Sequence, residues 1–264
     1  MSEMGKYILN DLKRALTSKI SQYYLFGTVI LVLLANVAII AFRIIYGTNE
    51  GTFAYNVFEY ASWCFLIPYY SCIVLALAAY GKDYIEPDRN GIRVNDGVGN
   101  ISLSPTKLYI SKLIVTALLA SVFMVIAFAL LYVITALFHI SEGAIPWGVI
   151  KSFLEKAALS LPLWFAGISF AIMFLFLFEK RWKAFAGFAF ITVIIPQLIR
   201  IFSLDTFKSD IFRIIRRYTI TQSFGLIPYP SYPERSVPLI ITLGIAYGVA
   251  AAVIGMLCYN RKAK

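Results

Sequence analysis

Apolar residues in this chain run in blocks rather than alternating with polar ones. Six blocks, 24–46, 56–80, 108–138, 157–178, 184–201 and 239–259, are close to the roughly 20 residues a helix needs to cross a bilayer core. Charges within them are few and sit near the ends: Arg43, Glu59, Lys112 and Arg200. The pattern predicts an all-α membrane protein with six transmembrane helices in one domain over 23–259. The segment before it, 1–22, has a different rhythm. Ile8, Leu12, Leu16 and Ile20 recur every four residues, with Lys6, Asn10, Asp11, Lys13, Arg14 and Lys19 on the remaining surface. That spacing predicts an amphipathic helix over 6–20, lying in the membrane interface with its cations near anionic headgroups. Two uses fit it: an orienting anchor, or a lever moved by a partner.

Composition narrows the class. The chain is 60% hydrophobic and 14% charged, against about 45–50% and 25% for a soluble domain. That excludes a soluble enzyme and a disordered tail as defaults, and three cysteines do not make an even disulfide framework. Cys64, Cys72 and Cys258 fall inside apolar blocks and read as small buried residues. The net charge of +10 lies between greasy runs, where it reports membrane orientation better than nucleic-acid binding. With both termini in the cytoplasm, 15 of the 24 Lys and Arg residues fall on the inner side, as the positive-inside preference requires.

The first inner loop, 81–107, mixes Lys82, Asp83, Glu86, Asp88, Arg89, Arg93, Asp96 and Lys107 with Tyr84, Ile85 and Ile92. Pro87, Gly91, Gly97, Gly99 and Pro105 prevent one long helix. Loops of this length are commonly functional, and its mixed charge suits a docking surface; a solvated connector is the plainer reading. Glu179-Lys180-Arg181-Trp182-Lys183 is a tight inner turn. The outer loop 202–238 carries Lys208, Arg213, Arg216, Arg217 and Arg235. Within it Ser209 is placed to cap a short helix to Tyr218, with Ile211, Ile214, Ile215 and Tyr218 on one face and the arginines on the other. It reads as a lid over an exit path or as an interfacial anchor.

Much chemistry is absent. His139 is the single histidine, which removes H-E-x-x-H and other multi-histidine metal sites, and it reads as an interfacial residue. No G-x-x-x-x-G-K-[ST] and no G-x-S-x-G occurs. No pair of acids lies deep in a span, so an aspartyl-type intramembrane protease or proton relay lacks its residues. Glu59 is expected to reach the outer headgroups or to pair with Arg43 or Arg200. Pro68-Tyr69-Tyr70-Ser71 is expected to interrupt the second span and Pro196-Gln197 the fifth, facing a cavity or a packing neighbour. Gly244, Gly248, Ala252 and Gly255 form a small-residue stripe that permits close helix approach, within the bundle or at a dimer seam.

The layout resembles the ABC-2-type permeases, membrane subunits of ATP-binding-cassette exporters of the type V fold. Two stretches carry the resemblance. Leu9-Asn10-Asp11-Leu12-Lys13-Arg14-Ala15-Leu16-Thr17-Ser18-Lys19 looks like the family's leader, and Asn90-Gly91-Ile92-Arg93-Val94-Asn95 with Ile101-Ser102-Leu103-Ser104-Pro105-Thr106-Lys107-Leu108-Tyr109-Ile110-Ser111-Lys112-Leu113 looks like its first inner loop. Pro105-Thr106 departs from the Ser-Arg pair common there. The resemblance implies a pore of two permease chains, identical or paralogous, and two separate ATPase subunits that bind ATP and Mg²⁺. This chain would then be no enzyme and hold no cofactor of its own. It implies a coupling helix at about Lys82, Asp83, Tyr84, Ile85, Glu86, Asp88 and Arg89, beside Lys13 and Arg14 of the leader. It also implies a translocation path along the second and fifth spans, near Phe65, Tyr69, Tyr70, Ile194 and Gln197. The last outer loop matches the position of the family's short re-entrant outer helices. An aromatic path suits an amphipathic cargo: a hydrophobic peptide, an antibiotic or bacteriocin, or a lipid-like molecule, handled for export or immunity. The location implied is a plasma membrane, the bacterial cytoplasmic membrane.

Three other classes compete. A secondary transporter or channel needs intramembrane ions or an internal repeat, and neither is visible in the sequence. A membrane-embedded enzyme lacks catalytic groups. A sensor or accessory subunit would bind a partner without transporting.

Overall fold

The computed structural model describes residues 3–46, 52–81, 104–178, 180–204, 209–229 and 236–262. Every regular element among them is helical. Among the described residues, five helices are long and apolar enough to cross a membrane, and a bent pair of helices brings the number to six if it counts as one span. The chain is therefore an all-helical, membrane-embedded protein.

Helix α1 (Glu3–Thr17) leads almost directly into α2 (Lys19–Tyr46). Ser18 makes the break: its hydroxyl accepts the Ser21 N–H at 3.2 Å, while the Ser21 hydroxyl donates to the Ala15 carbonyl at 2.6 Å. Serine satisfies freed backbone groups at such a joint, so the joint falls at residue 18 rather than 22. The most buried line of α1 is Tyr7, Asp11 and Ala15. Ile8, Leu12, Leu16 and Ile20 are only partly buried against the core. Helix α1 packs on the bundle through a line that includes an acid.

The second span is two helices, α3 (Phe53–Trp63) and α4 (Leu66–Tyr80), bent by 58°. The break lies at Cys64–Phe65, upstream of the Pro68-Tyr69-Tyr70-Ser71 run expected to interrupt it. Proline lacks an N–H and its ring pushes on the carbonyl four residues earlier, which here is Cys64. The Cys64 carbonyl accepts the Ile67 N–H at 2.9 Å instead, and Trp164 ties α6 to the break by donating its indole N–H to the Phe65 carbonyl at 3.0 Å, wholly buried. Cys64 is exposed at this break, whereas Cys72 is buried and Cys258 half-buried; the expectation that all three are buried fails at the bend.

Ser104 caps α5 (Pro105–Phe138) through the Lys107 N–H, with Pro105 in the first turn. A short 3₁₀ turn, Ile140–Glu142, precedes α6 (Trp147–Leu177). Helix α6 begins about three turns before the apolar block expected at 157, because Lys151, Glu155 and Lys156 make that stretch look like a flank. It is the central helix, buried over most of its length. Helix α7 (Arg181–Ala189), a π-helical turn (Phe190–Ile194) and α8 (Ile195–Phe202) form one continuous span. Pro196 converts the turn before it to π geometry without breaking the span. Helices α9 (Asp210–Arg217) and α10 (Ile220–Leu226) follow, then α11 (Ser236–Lys262). Ser209 stands at the α9 cap position, although its side chain makes no capping bond. The small-residue stripe packs α11 onto α6: a Cβ at Gly244 would meet the Pro162 backbone, one at Gly248 the Phe165 ring, and one at Gly255 Tyr109 and Met173.

Candidate functional site

Helix α1, the end of α4, the start of α5 and the end of α11 meet at one end of the bundle. There Asp11 and Lys112 form an ion pair at 2.8 Å with both side chains fully buried. The other Asp11 oxygen accepts Arg14 Nε at 3.0 Å and Nη2 at 2.6 Å. Lys112 Nζ and Arg14 Nη2 both donate to the Ala79 carbonyl, at 3.0 and 2.7 Å. The Tyr7 ring lies 5.7 Å from Lys112 Nζ. Four residues from three helices therefore close one polar network in an apolar shell of Tyr80, Tyr109 and Ala15. A buried carboxylate is tolerable only when its lone pairs are filled, and here two cations fill them.

The network has a particular position. Ala79 is in the last turn of α4, and Lys112 is in the second turn of α5. These helices flank 82–103; Asp11 ties α1 to α5 and Arg14 ties it to α4. Gly81, with φ of 76°, ends α4 with its α-carbon against the Arg14 guanidinium, and its carbonyl accepts Arg181 Nη2 at 3.0 Å. The junction joins α1, the end of α4 and the start of α5 through side chains, without an intervening loop.

Of the expected coupling residues, Lys82, Asp83, Tyr84, Ile85, Glu86, Asp88 and Arg89 lie outside the described residues. Arg14 is in the network, and Lys13 is exposed on the outer face of α1. The expected path residues divide. Phe65 and Tyr69 are buried and Tyr70 is half-buried in one aromatic cluster at the α3–α4 break. Phe65 packs edge-on to Trp164 at 5.5 Å, and Tyr69 contacts Tyr70 and Phe224 at 5.4 and 5.5 Å. Phe224 belongs to α10, whose Ile220 and Phe224 are buried in the same core, so α10 plugs the bundle above Tyr69. Ile194 and Gln197 are exposed on the outer side of α7–α8, and the single chain does not bring them to the cluster. Helix α9 stays exposed on its isoleucine face. Phe212 packs on Phe202 at 5.2 Å, and Arg216 donates to Gln222 Oε1 at 2.9 Å and Ser203 Oγ at 3.3 Å.

The opposite end carries two further polar links. Glu59 pairs with Lys156 at 2.8 Å, not with Arg43 or Arg200, because α6 starts early enough to place Lys156 beside α3. Glu142 accepts Arg43 Nη1 and the Phe53 N–H, both at 2.8 Å, joining α2 to the first turn of α3. Burial raises the Glu142 pKa, but the Phe53 N–H and Arg43 outweigh it and hold the carboxyl below its ordinary value. His139, at the end of α5, is buried in the protein, its Nδ1 3.4 Å from Glu142 and its ring stacked on Phe53. Phe53 and the turn after α5 cover it.

The Asp11–Lys112 pair is what sequence reasoning missed. The signal was present: a lysine inside an apolar block demands a partner. No family model matches the chain, and no curated protein matches it in sequence.

Proposed function

We propose that the chain is the permease subunit of an ATP-driven exporter of the ABC-2 type, carrying an amphipathic cargo across a plasma membrane. The observation that supports this reading best is the buried Asp11–Lys112–Arg14 junction. It makes α1, the end of α4 and the start of α5 move as one piece. This is where a partner acting on α1 and 82–89 must act to reach the spans. The chain contributes no catalytic group in this reading. ATP and Mg²⁺ sit on a separate ATP-binding-cassette subunit, and a second permease chain completes the path. Phe65, Tyr69 and Tyr70 contact cargo at the α3–α4 break, and α10 closes the path above them. Replacing Asp83, Glu86 and Asp88 together with lysine tests the reading: export should collapse while the chain remains folded in the membrane. Undiminished export counts against it.

The buried Asp11–Lys112 pair and the partly buried Glu59–Lys156 pair favour a second reading as an ion-driven transporter, since ionisable groups inside a bundle mark ion pathways. Transport that persists without nucleotide and stops when the ion gradient is dissipated would select it.

A further inference from the structure

A cavity of about 430 Å³ opens between α3, α5 and α6 at the end of the bundle remote from α1. Its volume lies low in the range of small-molecule sites, roughly 300–1,000 Å³. Phe58 and Phe153 form a buried floor, and Tyr132, Trp147 and Leu154 form an exposed rim. Phe58 and Phe153 also border a narrow cleft that holds Glu59 and Lys156 beside Tyr55 and Ser152. An apolar chamber thus abuts an ion pair across two shared rings. Its floor ring Phe153 packs on Phe65 of the aromatic cluster at 5.3 Å, so the chamber and the cluster lie on opposite sides of one aromatic wall.

The two charges are unequally committed. The Lys156 side chain is 9% exposed and that of Glu59 is 26% exposed. An incoming anion that takes Lys156 releases Glu59 towards solvent, where a carboxylate is well hydrated. An incoming cation that takes Glu59 strands the buried ammonium without a counter-charge, the costly outcome for a buried pair. The chamber is aromatic and aliphatic throughout, so it suits hydrocarbon, and its modest volume suits one chain rather than two.

We propose that this chamber binds a single-chain anionic amphiphile, its alkyl tail against Phe58, Phe128 and Phe153 and its carboxylate on Lys156 in place of Glu59. The site does not depend on the exporter reading. The test is equilibrium binding of tritiated palmitate to the purified chain in maltoside micelles. Saturable binding at one site per chain is expected. Glu59→Gln removes the competing carboxylate and keeps a hydrogen-bonding side chain, so it should bind several-fold tighter. Leu154→Trp fills the rim and should bind at least tenfold weaker, as should Lys156→Met. Palmitate should be displaced by unlabelled palmitate far better than by hexadecyltrimethylammonium or hexadecanol. If Lys156→Met fails to fold, the other two variants and the competition still decide. Absence of saturable binding, weaker binding in Glu59→Gln, undiminished binding in Leu154→Trp, or equal displacement by the cation overturns the proposal.

Discussion

The two ends of the bundle hold their charges differently. At the α1 end, Asp11 and Lys112 are sealed from solvent, and Lys112 and Arg14 both donate to the Ala79 carbonyl. At the other end, the Arg43 and Glu142 side chains keep 20% and 29% of their exposure. A sealed pair is expensive to break because removing one partner leaves the other buried and uncompensated, whereas an exposed pair is replaced by water at little loss. The first end therefore behaves as a rigid joint and the Arg43–Glu142 pair at the second as a soft latch, while Lys156 there is held more deeply by Glu59.

Breaking the joint should have the largest effect. Asp11→Ala or Lys112→Met should each cost about 3–5 kcal/mol, read as a fall in thermal unfolding temperature in detergent. Removing both charges together, as Asp11→Leu with Lys112→Met, should recover much of that loss. If the single variants are as stable as the parent, the joint is not rigid. Next in size, Trp164→Phe strips the indole from the Phe65 carbonyl at the α3–α4 break and should cost about 1–3 kcal/mol, with added proteolytic sensitivity near residue 64. The latch should matter least. Arg43→Ala should cost under about 1 kcal/mol, measured in the same unfolding assay. Its pH dependence follows from Glu142, whose pKa is lowered in the folded chain. The stabilisation is complete above the ordinary value of 4.5 and disappears as pH falls through the lower folded value. Comparing the parent with Glu142→Gln should show a stability gap above that window and none below it.

How much of this was readable beforehand differs residue by residue. The apolar blocks located every long helix, since nothing but lipid or a core accepts such runs, and the stripe from Gly244 to Gly255 announced close packing. Pro68 signalled a break, but its ring disturbs the carbonyl of residue 64, so the bend lies four residues away. The beginning of α6 was hidden because Lys151, Glu155 and Lys156 resemble a solvated flank until Glu59 is seen to neutralise Lys156. The joint was hardest to read. Asp11 and Lys112 are 101 residues apart, and helical periodicity assigns Asp11 to the polar side of α1. Only packing against α4 and α5 shows that this side faces inwards. Likewise Phe65, Tyr69 and Tyr70 could be grouped from one helix's spacing, while the positions of Ile194 and Gln197 depend on how α7–α8 sits in three dimensions.

The central claim is that a nucleotide-hydrolysing partner drives this joint through α1 and the chain leaving α4. A photo-reactive amino acid placed at Lys13 in one variant and at Tyr84 in another, activated in living cells, tests it most directly. Both positions should capture the same ATP-binding-cassette ATPase. Capture of no such subunit at either position, or labelling of Tyr84 by an impermeant reagent added outside intact cells, would contradict the account.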